Sequence, residues 1–453
     1  MKIAILGAGT YGSYVINSIL EKFPGASITV LEVGDRKIKS EKEIGFASTL
    51  KEEKYKGLTD GRFFGFGGTS DKWGGQLLTF SEFDFKSPDD FMKDIIRINR
   101  ERKSSVLAKF KIENEHPEKP VSEELFIKTG VWLSALRRNL FHWFKIGNRK
   151  QVNLLPHCRV VRLKSADKKK IDSVIYFENG FEKEQSFDYY FLTAGAFESV
   201  RILLSSSLTK EKRVYFSDHL SQKVFKVKDS TKIGNEDFVF RMKGTSLITK
   251  RLIGEFANSS FYIHPVFNLR FPFFESVKEI LFKHHFQMKY LWNIFRDIPH
   301  VIGFMWSVII KRKMYVMNNE WFLYIDIENP SKESYVELAV NVDKFKIPGL
   351  DVYYRTDEKA VVVFEKAKEI AIKYLNCNGA DYEVLAERIN IQTCEDIYHP
   401  YEMFNFKNAD DYFSRWSNML VVTTGVLSRS GGINPTAAMF PVVDEFIEKH
   451  LKF

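Results

Sequence analysis

The chain runs to 453 residues, 44% hydrophobic and 28% charged, with a formal net charge of +9; this exceeds one folding unit of roughly 100–200 residues and supplies ample apolar material for a core. No Arg-Gly repeat, paired-cysteine metal site or helix-turn-helix signature accompanies the positive charge. That excludes nucleic acid as the expected partner and leaves a lysine-rich surface, an anionic membrane face or an anionic substrate.

Lys2 to Leu6 reads as a short buried strand, and GAGTYG follows at once with Gly7, Gly9 and Gly12. Val15, Ile16, Ile19 and Leu20 then recur at helical spacing, and SITVL reads as a second strand closed by Glu32. In such a unit the glycines allow a tight turn, close approach of a pyrophosphate and close helix–strand packing. The helix N-terminus faces phosphate, and the acid about 20 residues past the turn accepts from ribose hydroxyls. The unit predicts a dinucleotide site without choosing between NAD and FAD. No leader with a charged start and apolar middle is read at the first residues, so export is not expected.

Gly61 to Phe80, GRFFGFGGTSDKWGGQLLTF, carries glycines at 61, 65, 67, 68, 74 and 75 with Trp73 among them. That density predicts backbone lying against something flat or phosphorylated, with the indole as a rigid apolar contact. Val131 to Lys150 is aromatic and basic. VNLLPHCRVVRL (Val152 to Leu163) reads as a strand, and FDYYFLTAGAFESVRILLSS (Phe187 to Ser206) as strand, turn and helix. His219, beside Asp218, reads as a structural brace, and His284 and His285 as solvated.

DFVFRMKG, WFLYIDIE and SYVELAVNV read as strands and DEKAVVVFEKAKEIAIKYLN as a helix opened by acids, together a sheet with helices on one face. Between them, Arg270 to Tyr315 is rich in Phe, Trp, Lys and Arg. Phe274, Val277 and Leu281 recur at helical spacing, as do Leu291, Ile294 and Phe295. The segment suits either helices roofing a substrate sheet or a platform on an anionic membrane surface. Its most apolar run, Val301 to Ile310, is too short to cross a bilayer.

DIYHPYEM (Asp396 to Met403) holds His399, and SGGINPTAAMFPVVDEFIEKHL (Ser430 to Leu451) opens the last helix with Asn434-Pro435-Thr436. Gly195 and Gly425 would admit close backbone approach. Cys158, Cys377 and Cys394 are scattered, which fits no disulfide framework and points to a reducing cytoplasm. No GxSxG elbow, P-loop lysine or His/Cys/carboxylate cluster with metal spacing is present, arguing against hydrolase, phosphoryl-transfer and metal chemistry.

Four segments resemble, in the same order, parts of the glucose–methanol–choline (GMC) oxidoreductases. Gly61 to Phe80 resembles the flavin-contacting loop. Val152 to Leu163 is similar to the strand whose Val backbone, here Val160, meets the adenine. Phe187 to Ser206 resembles the strand–turn–helix, and Ser430 to Leu451 the closing loop and helix beside the flavin ring. SDHL (Ser217 to Leu220) and DIENPSKESYVEL (Asp326 to Leu338) are weaker echoes. The match is thin between about 225 and 395.

The resemblance implies an α/β fold: a Rossmann-like FAD-binding domain with a parallel sheet and helices, from 1–85, 150–224 and 406–453. A substrate domain with a mostly antiparallel sheet backed by helices would come from 86–149 and 225–405. It implies non-covalent FAD, because the loop lacks the His or Cys that anchors flavin in some members. The implied cofactor contacts are Gly7, Gly9, Thr10, Gly12 and Glu32 in the first unit, and Gly67, Gly68, Thr69, Trp73, Gly74 and Gly75 in the loop. Val160, Ala194, Gly195 and Glu198 follow, then Thr424, Gly425, Pro435 and Thr436.

The activity it implies is oxidation of a hydroxyl on a sugar, sterol-like or lipid-linked alcohol. His399 takes the hydroxyl proton while hydride passes to flavin N5, and Asn434 holds the alcohol oxygen, a pairing most similar to the cholesterol oxidase branch. Tyr401 and Glu402 stand where the family often has Gly, and Thr423 where it usually has Asp. The electron acceptor would be oxygen, a quinone or a redox protein. The expected location is cytoplasmic, with a peripheral place on the inner membrane face through 270–315. Two competing readings are a non-redox lyase or flavin-photochemical member of the same family, and a non-catalytic flavin-binding protein docked at membranes.

Overall fold

KIAIL and SITVL are apolar without a polar break, which suits strands covered on both faces. In the computed structural model they lie at the centre of a five-stranded sheet ordered Met419–Val421, Tyr189–Leu192, Lys2–Leu6, Ser27–Leu31, Val152–Leu155. Every pairing in it is parallel. The structure describes residues 1–52, 55–112, 118–228, 241–244, 246–267, 272–273, 276, 279–280, 287–313, 315, 321–388 and 390–452.

The helix Thr10–Lys22 buries Val15, Ile16 and Ile19 against this sheet. Its Tyr14 stacks on Phe440 of the terminal helix Met439–Lys449, ring centroids 4.1 Å apart. The helix Asp90–Lys109 joins the same layer: Asn99 Nδ2 donates to the Ala438 carbonyl at 2.9 Å, and Arg102 pairs with Glu445 at 2.6 Å.

The second half of the architecture is a ten-stranded sheet in which His219–Val227, Trp321–Glu328, Ser259–Phe267, Ser246–Phe256 and Phe126–Trp132 follow one another antiparallel. Strand periodicity gives it two unlike faces. Ile127, Leu252, Ile263 and Ile325 pack with Ala360, Val363, Phe364 and Ala367 of the helix Glu358–Cys377. The opposite face carries Lys128 across from Arg251, and Tyr262 across from Asp326. Tyr262 belongs to the apolar cluster of the parallel sheet, so this polar face looks toward that sheet.

The α/β architecture of a parallel sheet with helices beside a helix-backed antiparallel sheet is therefore the one expected. Some details differ. VNLLPHCRVVRL is two strands, Val152–Leu155 and Cys158–Lys164, because the chain turns at His157 with φ 58. The second of these enters a separate three-stranded sheet. SYVELAVNV (Tyr335–Val342) lies in a four-stranded sheet of its own with Val214–Tyr215, Pro348–Tyr353 and Thr49–Leu50. Segment 86–149 sends its helix to the parallel side and its strand Phe126–Trp132 to the antiparallel sheet. Phe274, Val277, Leu281, His284, His285 and the start of DFVFRMKG fall outside the described residues. Among those described, no helix is long and apolar enough to cross a membrane.

A Cβ on Gly12 would lie 2.0 Å from the Gly7 carbonyl oxygen, which also accepts from Thr193 Oγ1 at 2.7 Å. Gly12→Ala must push the first helix off its strand. A loss of about 1–3 kcal/mol is expected in denaturant unfolding, as for overpacked core sites.

Candidate functional site

Most glycines of the two glycine-rich segments are explained by their protein neighbours. A Cβ would strike Ala194 from Gly7, Asn139 from Gly67, Gly9 from Gly68, Trp132 from Gly74, Arg138 from Gly75 and Met403 from Gly425. Gly9 and Gly195 are different: a Cβ on either meets nothing within 4 Å. Both border a groove of about 910 Å³, part of it open to solvent.

Along that groove lie Gly7, Gly9, Thr10, Glu32, Gly68, Thr69, Ala194 and Gly195, and at its far end His399, Thr424 and Thr436. A second cavity of about 340 Å³ shares Gly7, Glu32, Phe64 and Ala194 with it and extends past Cys158 and Val160 to Glu198. Together they form one extended trough, with the larger cavity at the His399 end and the smaller at the Val160 end. Eight stretches of sequence thus converge on one concave surface.

Glu32 sits at the junction. Its carboxylate accepts from the backbone N–H groups of Ala8 (2.8 Å), Gly34 (2.9 Å) and Gly65 (2.9 Å), tying the first turn to the glycine loop. Burial pushes its pKa up, and these three donors oppose the shift. Glu198 is instead the centre of a buried ion cluster. Arg159 donates to it, Arg201 Nε lies 2.8 Å away and Arg62 Nη2 3.7 Å, while Arg62 also pairs with Glu41 at 2.6 Å. Burial alone would raise the Glu198 pKa, but the three guanidinium groups outweigh it and hold the carboxyl below its usual range. Arg201 further donates to the carbonyls of Val160 (2.5 Å) and Val161 (3.0 Å), which fixes the strand lining the smaller end.

His399 closes the larger end. Its backbone N–H donates to both oxygens of the fully buried Asp218, at 2.9 and 3.1 Å. Asp218 also accepts from the His219 N–H (2.7 Å) and the Tyr55 hydroxyl (2.8 Å). Burial, reinforced by Asp396, pushes the Asp218 carboxyl up to about 8 against these donors. The half-buried His399 ring leaves Nδ1 without a hydrogen-bond partner. Desolvation, with His219 at 6.0 Å between ring centroids, pulls its pKa down to about 3, so the imidazole is neutral. His219 does brace the structure: its Nε2 lies 2.7 Å from the Gly431 carbonyl oxygen and 3.1 Å from Ser430 Oγ.

The departures from the family pattern have structural answers. Glu402 adopts φ 65, a left-handed conformation that Gly adopts without strain, and its carboxylate is held by Lys332 at 2.5 Å. Thr423 Oγ1 accepts from Gly425 N–H at 3.2 Å, capping the turn as an Asp would.

The remaining expected residues lie off the groove. Gly12, Gly67, Gly74, Gly75 and Gly425 pack against protein, and the Trp73 indole donates to the Arg138 carbonyl at 2.9 Å. Pro435 is buried in the turn Pro435–Ala438. Asn434 Oδ1 caps that turn by accepting from Thr436 N–H at 3.0 Å, so Thr436 borders the groove while Asn434 stands behind it. Arg62, Phe63, Phe64, Thr193 and Tyr398 also line the groove. The sequence held a signal for the first three, since they sit inside the glycine loop.

His219 packs between His399 and the polar face of the antiparallel sheet, its ring 6.0 Å from His399 and 5.9 Å from Tyr262 between centroids. Arg251 is buried, its Nη2 donates to Gln76 Oε1 at 2.5 Å and its guanidinium lies 4.9 Å from the Tyr262 ring centre. No carboxylate of the described residues comes within 4 Å of it. His264 Nε2 and Asp326 pair at 2.9 Å on the same face.

No protein-family model and no curated protein sequence matches the chain. Solved structures do share its fold from end to end. Pyridoxine 4-oxidase from Mesorbium loti superposes with a TM-score of 0.57 at 13% identity, covering 99% of each chain. A formate oxidase gives 0.53 at 12% identity, over 98% of this chain and 97% of that one. A variant formate oxidase from Aspergillus oryzae RIB40, solved for its effect on FAD modification, gives 0.51 at 11% identity with the same coverage. At these identities the likeness is one of fold.

Asp218→Ala strips a buried acceptor from two backbone N–H groups and a hydroxyl, each costing about 1–3 kcal/mol when left unsatisfied. Urea unfolding should show a loss of about 3 kcal/mol or more, and Tyr55→Phe, which removes one donor, about 1 kcal/mol. The sign with pH is also fixed. Folded Asp218 keeps its proton up to about 8, whereas the unfolded chain releases it near 3.9. Through that window the native state binds more protons, so this group's stabilisation is lost as pH rises, and the Ala variant lacks that slope.

Proposed function

We propose that the chain is an FAD-dependent oxidoreductase that oxidises a hydroxyl group, with His399 as the base. The observation that carries this is the trough itself. It runs from the Val160 strand past Gly9, where a side chain would meet no protein atom within 4 Å, and Gly195, whose φ of +82 itself calls for glycine, to His399, a neutral imidazole whose buried Nδ1 has no hydrogen-bond partner. Two adjoining cavities that share Gly7, Glu32, Phe64 and Ala194 suit a dinucleotide, and the GMC-like motifs and the fold shared with two oxidases support FAD over NAD. Bound there, the flavin supplies the two-electron acceptor that no side chain can provide.

Val160 and Glu32 would border the adenosine half, and the turn at Gly7 to Thr10 the pyrophosphate. Nothing in the glycine loop calls for a covalent link. His399 has the task of taking the hydroxyl proton. The neutral ring has a lone pair to accept it, weakly at its lowered pKa, and Asp218 holds the residue through the backbone rather than through Nδ1. Asn434 uses Oδ1 to cap the turn behind the groove, so its part is to position Thr436 at the groove wall. On the antiparallel sheet face that looks toward the parallel sheet, Arg251, Tyr262, His264 and Asp326 form a polar group. That favours a hydroxylated, polar or anionic substrate, such as a sugar derivative, over a sterol.

The test is anaerobic mixing of the yellow holoprotein with sugars, sugar acids and lipid-linked sugars while flavin colour is followed. Reduction by one of them, slowed about 10²–10⁴-fold in His399→Ala with FAD retained, is expected for loss of a general base. Unchanged bleaching in the variant defeats the assignment. Turnover without flavin reduction favours the lyase reading. Because His399 is neutral from about pH 4 upward, kcat/KM should show no inflection for this base between about pH 5 and 8. An inflection near its ordinary value would contradict the site as described.

A further inference from the structure

The helix Met288–Met305 leaves a large apolar stripe facing outward. Its inward side mixes half-buried Leu291, Ile294, Val301 and Phe304 with polar contacts. Asp297 is its one buried residue and accepts from the Phe273 N–H at 2.9 Å, Asn293 Nδ2 donates to Ser276 Oγ at 3.3 Å, and His300 Nδ1 meets the Tyr315 hydroxyl at 3.0 Å. Its outward side is a stripe of Met288, Trp292, Phe295, Ile298, Ile302 and Met305, three or four residues apart. Trp292, Phe295 and Ile302 are 68%, 65% and 64% exposed. The stripe continues through Trp306, Ile309 and Ile310 of the π-helical turn Trp306–Ile310.

Single exposed apolar residues are ordinary, but a continuous stripe of this length on a surface helix marks an interaction site. What covers it is read from the charge at its ends. Lys289 lies at one end and Lys311, Arg312 and Lys313 at the other, none paired with a carboxylate among the described residues. Arg296 alone on this helix pairs, with Asp297 at 3.1 Å. A protein partner of matching shape would need an acidic rim around an apolar groove, whereas an anionic bilayer surface offers headgroup charge beside acyl chains at every point. The helix is too short on apolar residues to span. The Arg241–Lys313 bridge fastens its basic end to the edge of the antiparallel sheet.

We infer that Met288–Ile310 is a lipid-docking helix, which lies in the interface of an anionic membrane with its apolar stripe inserted. This does not depend on the redox reading.

The experiment uses the full chain with phosphatidylcholine vesicles, with and without phosphatidylglycerol, at low and raised salt. Co-sedimentation with the anionic vesicles, weakened by salt and accompanied by a blue shift of tryptophan emission, is expected. The pair Trp292→Asp and Phe295→Asp should weaken binding by roughly tenfold or more, two aromatic burials being forfeited. Both sites are exposed, so the melting temperature should hold. Val340→Asp, on a different sheet and 97% exposed, should bind as the parent does. Absence of vesicle binding, or binding unchanged in the double variant, overturns the inference. So does a dimer that the double variant dissociates while neither form binds vesicles.

Discussion

One fully buried carboxyl sets the geometry of the His399 end of the trough. Asp218 draws together the Tyr55 loop, the first residue of the strand His219–Val227 and the His399 turn, segments separated by 163 and 181 positions in sequence. Among the described residues no other hydrogen bond reaches the His399 backbone. Asp396 repeats the device beside it, accepting from Lys56 and Gly57 N–H at 3.0 and 2.6 Å. From the other side, Glu328 accepts from Ser430 and Gly431 N–H at 2.9 and 2.8 Å while Arg429 binds both Glu328 and Glu255. The closing loop is thereby held to the antiparallel sheet, and His219 joins both systems.

Charge is handled differently at the two ends. Near the Val160 end, Arg62, Arg159 and Arg201 face Glu41, Glu198 and Asp343, three of each sign. Such a cluster is self-contained and reads as structure rather than recognition. On the sheet face, Arg251 has an amide and a phenol ring for company but no carboxylate within 4 Å among the described residues. A buried cation left without a counter-charge is costly unless something else supplies one. That contrast sets the sheet face apart from the arginine cluster.

The fold was legible wherever one periodicity ruled a segment. Continuous apolar runs gave the parallel strands, and WFLYIDIE and the acid-opened helix fell where their patterns put them. Order among the glycine segments exposed the trough. What escaped was the distinction between glycines that face a ligand and those that face protein, because that depends on neighbours such as Asn139, Trp132 and Met403 brought in from afar. The Asp218 clasp escaped for the same reason, since SDHL looks like any polar turn. The helix Met288–Met305 shows the opposite case: its spacing was readable, but which face met water was not, since periodicity does not say which side the core is on.

The most direct measurement is made on the purified chain before any substrate is added. Its visible spectrum is recorded, the protein is acid-precipitated, and the supernatant is assayed for flavin. A yellow protein releasing about one FAD per chain, with no colour left in the pellet, is what a single non-covalent dinucleotide in the trough requires. A colourless chain that takes up no FAD on incubation would contradict the account at its root.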